Sequence, residues 1–286
     1  MEHRQKYTVE KMCRVLGVSR SGFHKWFRRG VTKPVGDDLD QAIRQSFATS
    51  RQTYGSPRIA QDLENKGVKT SKATIARRMQ ALKISARRPK RWVLTTQSKH
   101  DNPVAPNLLN RDFQADVPAT KWVSDISYFA IAGRWAYLTI ILDLADRAIV
   151  GWAISQDMSA RNTTVAALQR AVNNRKPRQE LVFHSDRGVQ YTCDEMRQTI
   201  SAIGAVQSMS RKGNCWDNAV AESFFKTIKT ECIDRHEFKN VRQAWSTIFD
   251  YIEGWYNTNR LHTTLKGLTV HQAYEAKMKN LYGSLI

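Results

Sequence analysis

Three β-rich runs stand almost back to back at residues 122–130, 135–144 and 148–155, and this pattern restricts the fold more than any other. The breaks between them, Ala132-Gly133 and Asp146-Arg147, are too short for a crossover and suit antiparallel hairpins. After the third run the periodicity changes. Val165, Leu168, Ala171 and Val172 mark the apolar face of a helix over 161–173. A short strand follows at 181–185, a helix near 193–203, and another short strand at 206–210. The loop 213–218 then opens a long helix near Asp217. Three antiparallel strands followed by alternating helix and strand predict an α/β domain with a mixed five-stranded sheet and flanking helices, the order of a ribonuclease-H-like fold.

The residues ahead of this domain read differently. Val9, Met12, Cys13, Val15 and Leu16 give one apolar helical face, and Gly17-Val18-Ser19 breaks it, with Ser19 a good cap for the next helix. That helix, over 20–29, points Phe23, Trp26 and Phe27 inward and Arg20, His24, Lys25, Arg28 and Arg29 outward. A helix, a tight turn and a basic helix predict a helix-turn-helix module over 1–34, although any small helical hairpin shares the pattern. A second, similar module over 38–95 starts from Leu39, Ile43 and Phe47. Pro57 opens its middle helix, and Thr70 or Ser71 caps a last helix over 72–83. That last helix buries Ile75, Met79 and Leu82 and exposes Lys72, Arg77, Arg78 and Lys83. Residues 96–118, with Pro103, Pro106 and Pro118, read as an extended linker, and 119–280 as the α/β domain with C-terminal helices.

Charge follows the same division. Of the net +19, residues 1–100 carry 23 basic and 7 acidic side chains, and residues 101–286 carry 22 and 19. The total alone suits nucleic acid, a ribosomal role or a membrane surface alike, but the concentration in the first third points to a segment that grips DNA. The four cysteines show no C-x-x-C spacing, and no histidine array accompanies them, so a zinc finger is not supported. No apolar leader heads the chain, and 135–144 is half a membrane span ending in acids. A cytoplasmic, nucleoid-associated protein with no membrane partner is expected.

Asp125 lies inside the first strand, where a carboxylate among apolar neighbours is costly without compensation. Asp186 ends the fourth strand, and Glu222 lies a turn inside the long helix. In a ribonuclease-H-like sheet the first and fourth strands are neighbours and that helix packs across them, so three distant acids meet. Such a set can hold two divalent ions, Mg²⁺ with Mn²⁺ as a substitute, for phosphodiester chemistry. Taken singly, Asp125 can equally be a structural acid, Asp186 a turn residue, and Glu222 a partner of Lys226. Asp143 is a rival acid, read as structural. His184 can orient water or touch DNA, but reads first as a satisfied core histidine.

Residues 120–275 resemble the DDE catalytic core of insertion-sequence-three family transposases of the OrfB type, which are close kin to retroviral integrases. The segments that carry the resemblance are Trp122-Val123-Ser124-Asp125-Ile126-Ser127-Tyr128, His184-Ser185-Asp186-Arg187-Gly188-Val189-Gln190-Tyr191 and the run from Gly213 through Cys215-Trp216-Asp217-Asn218 to Glu222 and Lys226. Leu142-Asp143-Leu144, Ile149-Val150-Gly151-Trp152, Tyr54-Gly55-Ser56-Pro57 and the stretch 256–262 add to it. Ser124 stands where the family usually has threonine. The resemblance implies that Asp125, Asp186 and Glu222 are the catalytic, metal-holding acids, and that Lys229, seven positions beyond the glutamate, lies with Lys226 near a DNA phosphate. It implies metal-dependent 3′-end cleavage and strand transfer on double-stranded DNA, at terminal inverted repeats and at a target. It also implies a homo-oligomer and an OrfA product or OrfA-OrfB fusion as partner. A transposase-derived DNA-binding regulator and a same-fold nuclease are the alternatives.

Overall fold

The computed structural model describes residues 7–31, 36–87 and 102–283; the side chains of residues 26–31, 36, 37 and 215 are not among those described. The chain divides into two compact units, Met1–Ser85 and Ala86–Ile286.

The first unit is all helical. Helix α1 (Val9–Val15) is capped by Thr8, whose hydroxyl accepts from Lys11 N. The turn at Gly17 needs the positive φ of +63° that glycine adopts without strain. Ser19 then caps α2 (Arg20–Val31), accepting from Gly22 N at 3.0 Å. The face expected on α1 is only partly buried. Cys13 is covered, whereas Val15 and Leu16 are 79% and 72% exposed, because one short neighbouring helix cannot cover a whole apolar stripe. Helices α3 (Gly36–Thr49), α4 (Ser56–Asn65) and α5 (Lys72–Ala81) pack together through Ile43, Ile59, Leu63, Ile75 and Met79. Pro57 sits in the first turn of α4, and Ser71 caps α5 by accepting from Thr74 N.

The second unit is built on five strands: β1 (Lys121–Ile131), β2 (Arg134–Asp143), β3 (Ile149–Ser155), β4 (Val182–Ser185) and β5 (Val206–Met209). Their spatial order is β3-β2-β1-β4-β5, with the first three antiparallel and β1-β4-β5 parallel. This is the ribonuclease-H-like arrangement that the strand pattern predicts. A π-helical turn (Arg161–Val165) leads into α6 (Ala166–Asn174), which lies against β3. Contact is close at Gly151: a Cβ there would run into the Ala167 carbonyl and stand 2.7 Å from the Ala171 Cβ. Helices α7 (Val189–Thr192) and α8 (Asp194–Ala202) join β4 to β5. Helix α9 (Ala219–Glu231) crosses β1, and α10 (Val241–Tyr251) and α11 (Val270–Tyr282) follow.

Residues 102–118, expected as a tether, have almost no regular structure, yet they are fastened to the sheet domain. The backbone N–H groups of Leu108 and Leu109 both donate to Ser208 Oγ, and Leu109 is 3% exposed. Among the described residues no helix is long and apolar enough to cross a membrane.

Candidate active site

Strands β1 and β4 run parallel and their ladder ends at the pair Val123–His184. Two residues further along each chain stand Asp125 and Asp186, side by side at the carboxyl end of the pair, where open α/β sheets bind their ligands. Beyond β4 the chain turns sharply. Asp186 Oδ1 accepts from Gly188 N at 2.9 Å, which closes the turn and directs the carboxylate. Glu222 is the fourth residue of α9, the helix that packs on β1.

Asp125 feels both of the other acids. Burial first, and then the Asp186 charge, push the Asp125 carboxyl well above its ordinary value, with Glu222 adding to the effect. Ile126 N, which donates to Asp125 Oδ1, and the Lys229 ammonium pull the other way. Burial also raises Glu222, against the pull of Lys226. Among the described residues no three His, Cys, Asp or Glu side chains already stand in a metal-holding arrangement. The donor set nonetheless fits a hard divalent cation. It is all carboxylate oxygen, and mutual repulsion at Asp125 is what a cation would relieve.

A polar floor lies behind Asp125. The Tyr191 hydroxyl, fully buried, shares a 2.7 Å hydrogen bond with Ser124 Oγ, which donates to the Ile140 carbonyl. Burial, then Asp125 and Asp186, raise the Tyr191 phenol far above its usual range, so it stays protonated. Asn218 Nδ2 donates to the Ser124 carbonyl at 3.1 Å, while its own Oδ1 is buried without a partner. Asp217 is a second unforeseen centre. Fully buried, it receives Arg111 Nε, Arg211 Nε and Nη2, and Asn107 Nδ2, all within 2.7–3.0 Å. It thereby ties segment 102–118 and the loop before α9 to one point. Asp217, Asn218 and Arg211 lie within or beside the motif ending at Glu222, but Asn107 and Arg111 are over a hundred positions away, and no local pattern announces those pairings.

His184 is fully buried, with Nδ1 and Nε2 bonded to the hydroxyls of Ser208 and Ser210, and burial lowers its pKa to about 4. It is a satisfied core histidine. Asp143 is structural: Ala119 N, Trp122 Nε1, Ala145 N and Arg175 Nη1 all reach its carboxylate. Within 256–262, Asn257 brackets the backbone of Ile149, and Arg260 is held bidentately by Glu231. Lys226 is exposed, whereas Lys229 is 7% exposed, with its Nζ 5.2 Å from the Tyr128 ring centre. Burial lowers the Lys229 pKa against the pull of Asp234 and Asp125. In the first unit Arg20, Lys25 and Arg77 are exposed. Arg78 faces Asp40 at 3.4 Å, and the side chains of Arg28 and Arg29 lie outside those described.

Comparison with known proteins gives three family matches: an integrase core domain over residues 115–215, a further integrase core domain over 203–269, and an HTH-like domain over 35–92. Transposase InsF for insertion sequence IS3A of Escherichia coli (strain K12) is 34% identical over 275 residues, covering 95% of each chain. The insertion element IS600 uncharacterized 31 kDa protein of Shigella sonnei is 37% identical over 260 residues, 90% of this chain and 95% of that one. Among solved structures, the HTLV-2 integrase catalytic core domain in complex with magnesium is similar at 15% identity, covering 55% of this chain and 97% of that one, with a TM-score of 0.41.

Proposed function

The chain belongs to the insertion sequence IS3 family of transposases, and on that premise we propose that Asp125, Asp186 and Glu222 are its catalytic acids. The transposase is a polynucleotidyl transferase, and the finer reading is 3′-end cleavage at terminal inverted repeats followed by strand transfer to a target. The observation that carries it is placement: Asp125 and Asp186 each stand two residues beyond the last rung of the parallel β1–β4 ladder, and Glu222 lies in the helix that packs on β1. Two Mg²⁺ ions held there, with Mn²⁺ able to substitute, would supply Lewis acidity for activating water or a 3′-hydroxyl and for stabilising the leaving oxygen.

The protein's own groups set the stage for that chemistry. The turn closed by Gly188 N aims Asp186, and Ile126 N fixes one oxygen of Asp125. Ser124, Tyr191 and Asn218 hold the β1 backbone beneath Asp125. Lys226, exposed one turn beyond Glu222, can hold a DNA phosphate. Lys229, buried beside Tyr128, tempers the charge on Asp125. The basic first unit, with Arg20, Lys25 and Arg77 at its surface, grips duplex DNA. A homo-oligomer, with an OrfA product or an OrfA-OrfB fusion as partner, completes the reading.

The test is divalent-ion-dependent joining of a labelled terminal oligonucleotide to plasmid, with wild type against Asp186→Asn. Joining by wild type and none by the variant supports the reading. Cleavage without joining indicates a nuclease, and binding without either indicates a regulator.

A further inference from the structure

A cleft of ≈ 380 Å³ opens beside Asp186, within the range of roughly 300–1,000 Å³ of pockets that hold small organic groups. One wall is aromatic. Tyr128 faces Tyr137 across the β1–β2 ladder, and Ala130 faces Trp135, so the three rings belong to one face of the sheet. Tyr128 and Trp135 meet edge to face with centroids 4.9 Å apart. Met158 and Val189 stand among the other lining residues, and Asp186 lies at the lip. These apolar groups are left open to water: Trp135 is 59% exposed, Met158 42% and Val189 43%. A concentration of large apolar side chains at the surface marks a binding site.

Resting on the triad reading above, we propose that this cleft takes one unstacked nucleobase of the DNA, the base neighbouring the phosphodiester at Asp186. A base is flat and apolar on its faces and polar at its edge, which matches aromatic walls with Ser127 and Gln190 among the lining residues. It is tethered one sugar away from a phosphate, which matches a cleft that adjoins a catalytic carboxylate. Every base has a π-face, so such a site tolerates any sequence. The base must leave its stack to enter, and a single-stranded or frayed end makes that step cheap. A second protein is a poorer occupant, since a stable interface needs about 800 Å² per partner and a cleft of this size does not offer it.

The experiment uses the full chain without divalent ion and a duplex with a short 3′ overhang carrying iododeoxyuridine. Irradiation is expected to crosslink the overhang to a peptide containing Tyr128, Trp135 or Tyr137. Trp135→Ala should weaken overhang binding about tenfold while binding of fully paired duplex changes less than about twofold, and Trp135→Phe should restore most of the loss. Crosslinks only outside the cleft would overturn the proposal. So would equal losses on paired and overhang DNA, or a changed oligomeric state of Trp135→Ala without DNA, which would mark a protein interface. Asp125→Asn separates this idea from its premise. If that variant still joins DNA, the triad reading fails even though the crosslink forms; if it does not join and no crosslink forms in wild type, only the cleft proposal falls.

Discussion

Two kinds of acid share this sheet domain, one half-buried and one buried. Just past the end of the parallel β1–β4 ladder the strongest charged influence on Asp125 is another carboxylate, and its pKa rises. Elsewhere, among the described residues, each buried acid has an arginine. Asp143 and Asp146, both fully buried, share Arg175 at 2.7 and 2.8 Å. Asp217 holds Arg111 and Arg211, and Glu231 holds Arg260 at 2.7 Å. An acid neutralised by a fixed guanidinium is part of the scaffold, because nothing further can be gained by bringing a cation to it. Acids pressed against one another store electrostatic cost that an incoming cation releases, and such groups gather at functional sites. The difference lies in the partner, a carboxylate for Asp125 and a guanidinium for the others, and it is independent of sequence position.

Neutralising one member of each class should have opposite consequences. Asp125→Asn should lower divalent-ion-dependent joining by about three orders of magnitude, since one ligand of the site loses its charge. The same variant should unfold no more easily than wild type at neutral pH without metal. A carboxyl with a raised folded-state pKa favours the fold only while protonated, and that contribution is lost as pH rises through the folded value. Retention of more than about a tenth of the activity would remove Asp125 from the site. Glu231→Gln should do the reverse. It leaves Arg260, 3% exposed, without its counter-charge, and urea unfolding should show a loss of about 3–5 kcal/mol. An unchanged unfolding midpoint would mean that the arginine pairs are not what holds this part of the domain.

The sequence made one class of acid far more legible than the other. Asp125, Asp186 and Glu222 sit in recognisable local contexts: a strand interior, a strand end followed by glycine, and a helix opened by Asp217-Asn218. The strand order followed from hairpin-length breaks, which local chemistry dictates. Arginine partners carry no such signal. Arg175 lies 32 residues from Asp143 and Arg111 lies 106 from Asp217, and a charge in sequence does not say which distant charge it will meet. For the same reason 102–118 reads as a loose tether, although Ser208 and Asp217 fasten it. Helical periodicity is also incomplete at Lys229. It places the lysine on the face of Glu222 but cannot show that Tyr128 sits beside it.

Acidity distinguishes Asp217 from Asp125, with a smaller effect, although Asp146 beside Arg175 is raised by burial as Asp125 is. The side-chain hydrogen bond from Arg211, followed by the further donors, holds the Asp217 carboxyl far below the usual carboxylate range. A depressed folded-state pKa contributes stability that is present above the unfolded value and lost as pH falls through the folded one. Asp217→Asn should therefore cost about 1–3 kcal/mol at neutral pH, the low end allowing for the half-exposed arginines. The gap to wild type should narrow as pH drops below the carboxylate range, as read from urea midpoints at a series of pH values. A gap that stayed constant into strong acid would show that packing, not charge, is what Asp217 provides.

The smallest expected effect uses one substitution in both regions. Gly188 and Gly151 are each crowded, but by different things. At Gly151 a Cβ would collide with the backbone of α6, so Gly151→Ala should cost about 1–3 kcal/mol of stability. At Gly188 the backbone angles, φ −60° and ψ 147°, suit any residue, so no conformational strain arises. An added Cβ would lie 3.1 Å from Asp186 Oδ1 and 3.3 Å from Gln190 Oε1, and both are side chains that can give way. The fold therefore absorbs the change, and the carboxylate moves. Stability should stay within about 0.5 kcal/mol of wild type. Joining should fall roughly fivefold to tenfold, because displacement of a group by a fraction of an ångström is felt in the rate. If Gly188→Ala joined DNA at the wild-type rate, the position of Asp186 would not matter to the reaction. If it unfolded like Gly151→Ala, the turn after β4 would belong to the scaffold and not to the site.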